Sequence, residues 1–295
     1  MLIDLHAHST GSDGTDSPAG LVAAARAAGL DAIALTDHDT TAGWAEAATA
    51  VREAAPGGQG GQSGQGGPVL VPGVEISCER EGRSIHLLGY LVDPAEPELA
   101  AELARARESR ATRLERMVER LAADGIPVTY AAVLAQVPAG ATPGRPHIAD
   151  ALVAAGAVRD RDEAFARWLR DDSPYYVHHY APDPTRAVGL VLQAGGVPVL
   201  AHPFTRARGV PVLGEDVVAE LAAAGLAGLE ADHPDHDEPT RARAHELARR
   251  LELLATGSSD YHGRGKTVRL AAHTTPAEVL AEIELRGTGS AVVRP

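Results

Sequence analysis

The sequence predicts an α/β protein in which a closed β/α barrel carries an inserted helical domain. Three observations support this prediction: strands alternate with Ala-rich helices over the first hundred residues, a long helical stretch then interrupts the alternation, and the alternation resumes afterwards. Most of the predicted strands end in a histidine or an acidic residue. Such residues are typical of the rim of a parallel barrel, where the loops that follow the strands open.

Composition and charge exclude several classes of function. The chain has 295 residues, of which 44% are hydrophobic, so it can bury a sizeable core. Its net charge is −13 and it has no basic tract, which argues against binding to duplex DNA or to a membrane surface but is compatible with a small anionic substrate. Because Cys78 is the single cysteine, neither an intrachain disulfide nor a cysteine-based zinc site can form. We find no signal peptide and no apolar run of spanning length, so we expect a cytoplasmic protein.

The first part of the barrel is predicted from alternating strands and helices, a pattern that favours parallel βαβ units. A Gly/Gln-rich segment, PGGQGGQSGQGG, precedes the third strand and is typical of an extended surface loop. The predicted strands cover residues 2–8, 32–36, 69–74 and 84–92, and the predicted helices cover 18–29 and 42–55.

The helical insertion begins with PELAAELARARESRATRLERMVERLAADG, a long amphipathic helix, and DDSPYYVHHYAPDP ends the helical region. We therefore assign residues 1–99 and 178–295 to the barrel and residues 100–177 to a helical cap. After the cap, the predicted helices cover 184–194, 216–224 and 240–250, and the predicted strands cover 197–201, 228–231, 253–256 and 291–294.

Residues with metal-ligand chemistry follow successive predicted strands. Asp4, His6 and His8 alternate along the first strand and so share one face, where paired imidazoles are poor core material but good ligands. A lone histidine is usually structural, whereas nine ligand-type side chains at one rim indicate a metal centre. Imidazoles with carboxylates and no thiolate suit Mn²⁺, Zn²⁺ or Fe²⁺. These nine residues are His6, His8, Asp13, His38, Glu75, His86, His202, Asp260 and His262.

The motifs HAH, TDHD, GVE, IHLLGY, AHP and SDYH, in this order, resemble those of the PHP (polymerase and histidinol phosphatase) family. The helical insertion and the stretch RPHIA resemble the branch of bacterial PHP phosphoesterases that act on nucleotides and RNA 5′ ends. The resemblance implies a distorted (β/α)7 barrel with three divalent ions. It implies that one ion is held by His6, His8, Glu75 and Asp260, a second by Glu75, His86 and His202, and a third by Asp13, His38 and His262. Some members of the family carry histidine where Asp13 stands.

A centre of this kind suits a phosphate ester. Three divalent ions bring six positive charges against three carboxylates, and the excess attracts an anion and stabilises a transferring phosphoryl group. A hydroxide that bridges two ions would be the nucleophile of an in-line attack, with Glu75, Asp260 and His202 as the central catalytic residues. We expect Asp4 to support His6, and Asp37 to support the ligands as a turn-forming or supporting acid.

Candidate substrate contacts lie in the cap and in the part of the barrel that follows it. Arg145 and His147 begin a predicted helix, and a helix N-terminus with an arginine is a reasonable phosphate site. His179, Arg206 and His236 are further candidates. The stretch RDDS precedes PYYVHH, where nucleotide-handling members of the family tend to carry a lysine, and this departure leaves the preferred anion open.

The sequence thus predicts a metal-dependent phosphoesterase that acts on a small phosphorylated substrate such as a nucleoside 3′,5′-bisphosphate, or on a short 5′-phosphorylated RNA. A histidinol-phosphatase-like activity is one alternative. A metal-dependent amidohydrolase is a second, although the bridging lysine of many such enzymes has no counterpart here, since the single lysine, Lys266, follows Asp260. A non-enzymatic metal-bound module is a third alternative, but no predicted ligand is missing.

Overall fold

The structure is a computed structural model that describes residues 1–53, 67–205 and 212–295. Arg206 and most of the Gly/Gln-rich segment lie outside the described residues, so the predictions made for them stay predictions.

Seven strands form one sheet whose order in space is their order in the chain. Strands β1 to β3 are mutually parallel, as are β5 to β7. A bridge between Ala7 and Tyr261 brings the two edges of the sheet together, and the His8 N–H donates to the Tyr261 carbonyl at 2.8 Å. The sheet is therefore a nearly closed barrel, which confirms the predicted fold class. Its strands are β1 (Ile3–Asp4), β2 (Ala32–Leu35), β3 (Val69–Arg80), β4 (Arg83–Tyr90), β5 (Val197–Leu200), β6 (Gly228–Asp232) and β7 (Leu254–Gly257).

The prediction of a parallel connection was wrong for β4, which is antiparallel to both of its neighbours. The chain between β3 and β4 is only Glu81 and Gly82, which is too short for a parallel crossover. Both residues have left-handed backbones, with φ of 54° and 75°, as a two-residue hairpin turn requires. The hairpin pairs His86 with Ser77, two residues along β3 from Glu75, so His86 and Glu75 face the same side of the sheet.

Six helices among the described residues surround the barrel, and the N-terminal turns of three of them are capped by the side chains of Ser17, Asp183 and Asp237. The last helix was not predicted; its Leu280 and Ile283 pack against the barrel core. The strand predicted at residues 291–294 is reduced to a single bridge between Leu70 and Val293. The barrel helices are α1 (Pro18–Ala27), α2 (Trp44–Glu53), α7 (Pro184–Gln193), α8 (Glu215–Ala223), α9 (Glu238–Arg250) and α10 (Ala277–Arg286).

The helices between β4 and α7, which we call the cap, have a hydrophobic core of their own. That core includes Leu114, Met117, Leu121, Ile148 and Leu152. No described helix of the chain is both long enough and apolar enough to span a membrane. The cap consists of α3 (Pro97–Ala123), α4 (Tyr130–Leu134), α5 (Arg145–Ala154), α6 (Arg161–Ala164) and a π-helical turn (Phe165–Leu169).

Helix α3 belongs to both cores. Near its start, Leu99 and Leu103 pack in the barrel cluster, whereas Leu114 and Met117 pack in the cap cluster. Its 27 residues span about 40 Å at 1.5 Å per residue. One continuous helix therefore joins cap and barrel and sets the position of every side chain along it.

We expect Leu121→Ala to destabilise the cap strongly, because Leu121 is fully buried and the surrounding side chains cannot refill the cavity that the truncation leaves. The expected loss is about 2–5 kcal/mol, visible as a lower midpoint of thermal unfolding followed by circular dichroism. Leu134→Ala is the matched control, because Leu134 is 48% exposed in the same part of the fold. Equal midpoints for the two variants would contradict the cap core described above.

Candidate metal centre

The nine predicted ligands converge at one end of the barrel. Glu75 and His86 lie on the β3–β4 hairpin, and the others lie in the segments that follow strands. His6, His8 and Asp13 follow β1, His38 follows β2, His202 follows β5, and Asp260 and His262 follow β7.

Glu75 occupies the middle of this group. Its side chain is almost completely buried, yet imidazole nitrogens surround both carboxylate oxygens. The contacts are His86 Nδ1 at 2.8 Å and His202 Nε2 at 3.2 Å to Oε1, and His6 Nε2 at 3.2 Å, His8 Nε2 at 3.1 Å and His38 Nδ1 at 3.1 Å to Oε2. One carboxylate thus links five imidazoles from four segments of the chain.

Two further carboxylates complete the cluster. Asp260 Oδ1 lies 3.5 Å from His6 Nε2, 3.3 Å from His8 Nε2 and 3.5 Å from His262 Nδ1. Asp13 Oδ1 lies 3.3 Å from His262 Nε2. Each of the three carboxylates, those of Asp13, Glu75 and Asp260, therefore lies beside at least one imidazole of the cluster.

Three sets of side chains have ligand atoms close enough together to share an ion. They are His6, His8 and Asp260; His38, Glu75 and His86; and His8, Asp13, His38 and His262. These sets overlap with those implied by the family resemblance, but His8 also lies with the Asp13 group, and His38 also lies beside Glu75. The assignment of each ligand to an ion stays a prediction.

The donor chemistry fits divalent cations. The ring nitrogens His38 Nδ1 and His86 Nδ1 are buried beside the Glu75 carboxylate but make no well-aligned hydrogen bond, which is costly for a polar atom unless something else satisfies it. The Nε2 atoms of His6 and His8 lie 3.0 Å apart, so at most one can carry a proton toward the other. Converging imidazole lone pairs beside carboxylates are the donors that Mn²⁺, Zn²⁺ and Fe²⁺ accept.

Glu230 on β6 is a functional residue that sequence reasoning missed. It is fully buried, and its Oε1 lies 3.2 Å from His6 Nδ1, so the Nδ1–H donates to Glu230 and Nε2 stays free toward the cluster. Glu230 also accepts from the His202 N–H at 2.9 Å and from the Ser258 hydroxyl. The available signal was its place on a buried strand, EAD, where an acid is expensive unless it has partners.

The two predicted supporting acids have different roles. Asp37 accepts from Ser9 and Ser12, and Ser12 Oγ lies 3.3 Å from His8 Nδ1, so Asp37 does support a predicted ligand through one hydroxyl. Asp4 contacts His6 through the backbone, since it accepts from the His6 N–H at 3.4 Å, whereas the ring Nδ1 of His6 is bonded to Glu230. Asp4 also accepts from the backbone N–H groups of Ser259 and Ala271, at 3.0 and 2.9 Å. Asp4 thus fixes the segment that follows β7.

Electrostatics in the centre favour ionised acids. Burial alone raises the pKa of the Glu75 carboxyl, but His38, His6 and His86 outweigh burial and hold that pKa well below its usual range. Burial lowers the pKa of His8, but hydrogen bonds to Asp260 and Glu75 more than reverse this and raise it to about 9. In the ion-free protein, protons therefore occupy positions that cations would take.

A cavity of about 370 Å³ lies against the centre and is lined both by predicted ligands and by basic residues of the cap. Arg113 is 4% exposed, and burial together with Arg110 and Arg145 lowers its pKa to about 9. Its Nη1 lies 3.1 Å from His179 Nδ1, and its Nε has no hydrogen-bond partner among the described residues. A buried, unneutralised guanidinium of this kind is typical of an anion site.

Arg110 and Arg113 were missed because the arginine-rich part of α3 was interpreted only as an amphipathic helix. They continue the buried stripe of Leu103, Ala106 and Met117 at spacings of three and four. Two arginines on the apolar stripe of a helix were the signal that they face the interior instead of solvent.

The predicted substrate contacts separate into two groups. Arg145 and His179 line the cavity, and the guanidinium of Arg145 lies 5.1 Å from the Tyr176 ring. His147 does not line it; its Nδ1 accepts from the Gly144 N–H at 3.0 Å and caps α5. Nor does His236, whose two ring nitrogens are within 3.0 Å of the Ala231 carbonyl and 3.3 Å of the Phe204 N–H. The geometry thus offers Arg145 and His179 to a ligand, but not the side chains of His147 and His236.

Lys266 also lines the cavity and forms an ion pair with Asp260. It lies after β7, so it does not supply the mid-barrel bridging lysine that an amidohydrolase of the binuclear type would need.

The chain is similar to known proteins in sequence and in fold. A model of the PHP domain family matches residues 4–89. A 3′,5′-nucleoside bisphosphate phosphatase of Chromobacterium violaceum is 35% identical over 99% of this chain and 98% of its own length. A 5′-3′ exoribonuclease of Haemophilus influenzae is 33% identical over 88% of this chain and 89% of its own length. A crystal structure described as a metal-dependent phosphoesterase from Bifidobacterium adolescentis superposes with a TM-score of 0.90 at 41% identity, over 97% of this chain and 96% of that one.

We expect Glu230→Gln to weaken metal binding by about 10–100-fold, because the amide holds the His6 tautomer less firmly and removes one negative charge. Metal content after dialysis against graded Mn²⁺, measured by mass spectrometry, checks this. Glu220→Gln is the control, since Glu220 lies on α8 in an exposed ion pair with Arg80. Unchanged affinity in Glu230→Gln would remove Glu230 from the centre.

Metal binding should also release protons. The pKa of His8, at about 9 in the ion-free protein, means that a cation at neutral pH displaces a proton from this ring. The affinity of the ion that His8 holds should therefore rise with pH up to about 9 as this ring loses its proton. Calorimetric titration with Mn²⁺ at pH 7.5, in buffers of different ionisation enthalpy, should show at least one proton released per chain; a binding enthalpy independent of the buffer would contradict this.

Proposed function

The chain belongs to the PHP domain family, and on this premise we propose that it hydrolyses a phosphate ester of a nucleotide that carries a second phosphate, with a nucleoside 3′,5′-bisphosphate as the first candidate substrate. The scissile phosphate would lie at the metal centre and the second phosphate at the arginines of the cap.

One observation carries this proposal: the cavity joins two anion-attracting regions of different chemistry. Along one part of its lining are the imidazoles and carboxylates around Glu75, and along another are Arg110, Arg113 and Arg145. Arg110 pairs with Asp39 and Arg145 with Asp171, whereas Arg113 is buried without a carboxylate partner among the described residues. In a chain of net charge −13, burial of such a guanidinium has a cost that a bound phosphate would offset. A substrate with two phosphates suits both regions.

The proposed division of labour keeps the ligand sets that the family resemblance implies, and the contacts around Glu75 support it. His6, His8, Glu75 and Asp260 would hold one ion, Glu75, His86 and His202 a second, and Asp13, His38 and His262 a third. When bound, such ions supply an activated water and charge neutralisation for the transferring phosphoryl group. Glu230 and Asp37 keep the rings of His6 and His8 in orientation. The cap, for which we propose the boundaries 100–177, would grip the remainder of the substrate.

The remote phosphate would be held mainly by guanidinium groups. Arg110 is oriented by Asp39, to which its Nε donates at 2.7 Å, so it is already fixed before an anion arrives. Arg145 is flanked by the rings of Phe165 and Tyr176, at 5.6 and 5.1 Å. These rings also border the cavity and offer a nucleobase an aromatic face.

A second candidate, removal of nucleotides from a short 5′-phosphorylated RNA, is favoured by a neighbouring cavity of about 430 Å³. It shares Arg145, His86 and His202 with the first cavity and so reaches the centre from another side. A phosphodiester needs room beyond the scissile phosphate for its second nucleoside, whereas a terminal phosphate does not. This space would accommodate that second nucleoside.

Histidinol phosphate fits less well. It carries a cationic amine and one phosphate, and the buried arginines of the cap would repel the amine.

Phosphate release and product analysis on the Mn²⁺-loaded protein test the proposal. The panel is a nucleoside 3′,5′-bisphosphate, a nucleoside 3′-monophosphate, histidinol phosphate and a 5′-phosphorylated RNA trimer. Orthophosphate from the bisphosphate supports the first candidate, and mononucleotides from the trimer support the second. No turnover of any nucleotide by protein with its metals bound would overturn both.

Matched variants test the two regions of the cavity separately. Glu75→Ala should abolish turnover, with Glu79→Ala on the same strand as its control. Arg113→Gln should lower kcat/KM for the bisphosphate by about 10–100-fold, the worth of a charge-assisted hydrogen bond, and lower it much less for the 3′-monophosphate. Arg116→Gln, exposed on the same helix, should change neither value. An equal loss of kcat/KM on both substrates in Arg113→Gln would show that Arg113 does not bind the second phosphate.

A further inference from the structure

Asp13 lies in a turn that the cap contacts directly. It lies nine residues after β1 ends, in a turn that contains Gly11 and Gly14. Within this turn, the N–H groups of Ser12 and Gly14 both donate to the Ser9 carbonyl, at 3.1 and 3.0 Å. These local bonds close the turn, and Ser9 and Ser12 bond it to Asp37 in the segment after β2, but none of these bonds attaches the turn to the cap.

Arg161 of the cap supplies such an attachment. Its Nε and Nη2 donate to the two carboxylate oxygens of Asp150, both at 2.7 Å, and its Nη1 donates to the backbone carbonyl of Asp13 at 3.1 Å. The planar guanidinium makes all three bonds at once, so the two bonds to Asp150 orient Nη1 toward the Asp13 carbonyl. A second bond from the cap, from the Thr142 N–H to the Gly11 carbonyl at 2.9 Å, holds the same turn.

The same guanidinium packs against the segment that carries His262. A β-carbon added at Gly265 would lie 2.3 Å from Arg161 Nη1, so only glycine leaves room for this nitrogen at its present position. This segment and the Asp13 turn are also bonded directly, by Thr15 N–H to the His262 carbonyl at 3.2 Å and by Arg264 N–H to Thr15 Oγ1 at 2.7 Å. Arg161 therefore lies between the two segments that carry Asp13 and His262.

From these contacts we infer that Arg161 is a positioning residue through which the cap sets the affinity of the ion held by Asp13, His38 and His262. The inference rests on the proposed three-ion centre. Because the arginines of the cap also line the substrate cavity, ion and substrate are coupled through one structural unit. Coupling of this kind is reciprocal: the ion tightens substrate binding by the same factor by which substrate tightens the ion.

Arg161→Gln removes the two bonds to Asp150 and the bond to the Asp13 carbonyl. Arg159→Gln is the matched control, since Arg159 is exposed and pairs with Glu163. In Mn²⁺ titrations followed by mass spectrometry, Arg161→Gln should weaken one of the three ions about tenfold or more and leave the other two within about threefold. Arg161→Lys should lower this affinity by an intermediate factor, because one ammonium cannot bond to both Asp150 oxygens and to the Asp13 carbonyl together. Three unchanged affinities in Arg161→Gln would overturn the inference.

Hydrogen exchange of the ion-free protein gives an independent measurement. Arg161→Gln should raise exchange at least about threefold in the peptide that covers residues 9–16, whereas Arg159→Gln should not. Gly265→Ala, which displaces Nη1 of Arg161 without substituting that residue, should raise exchange in the same peptide. Equal exchange in all variants would overturn the inference. If the wild-type chain binds fewer than three ions, the proposed centre fails, and exchange alone then decides whether Arg161 holds the Asp13 turn.

Discussion

The Glu75 carboxylate within a ring of five imidazoles is the constraint on which the rest of the fold depends. A buried acid and so many buried histidines are each unfavourable alone, and they are tolerable together only when their distances are held near 3 Å. Each strand of the barrel contributes to this arrangement. The β3–β4 hairpin brings His86 beside Glu75, the segment after β5 brings His202, and Glu230 on β6 fixes the ring of His6. The barrel can be understood as the scaffold that keeps these polar groups satisfied.

The backbone shows part of the cost of this arrangement. His202 and Asp260 both have positive φ, 26° and 50°, a conformation that is unfavourable for residues with side chains. Both residues are predicted ligands, and the extended alternative would turn their side chains elsewhere. Strain at such positions persists only where the surrounding contacts outweigh it, and here the bond from the His202 N–H to Glu230 is one of those contacts.

Much of the fold and of the centre could be predicted from the sequence, because periodicity and ligand chemistry are local properties. The alternation of strands and helices predicted the barrel, and the histidines at strand ends identified the nine side chains that converge. The antiparallel β4 was missed although Glu81–Gly82 is a two-residue turn, since alternation of elements was given more weight than loop length. Glu230, Arg110 and Arg113 were missed because their roles depend on contacts between segments that are distant in the chain. The packing of His147 and His236 against backbone groups depends on such contacts as well, and nothing in their sequence context distinguishes them from Arg145 and His179.

The continuity of α3 has a consequence for how such a chain can vary. Leu103 is fixed in the barrel core and Met117 in the cap core, with Arg110 and Arg113 between them on one helix. Each residue added to an α-helix rotates everything beyond it by about 100° and advances it by about 1.5 Å. A single insertion between Leu103 and Arg110 would therefore turn both guanidinium groups away from the cavity and move the whole cap relative to the barrel. An insertion that lengthens this helix and preserves the anion site must therefore be close to a whole number of helical repeats. The surface and the loops of the cap can change far more freely than the number of residues between the barrel and the cap in α3.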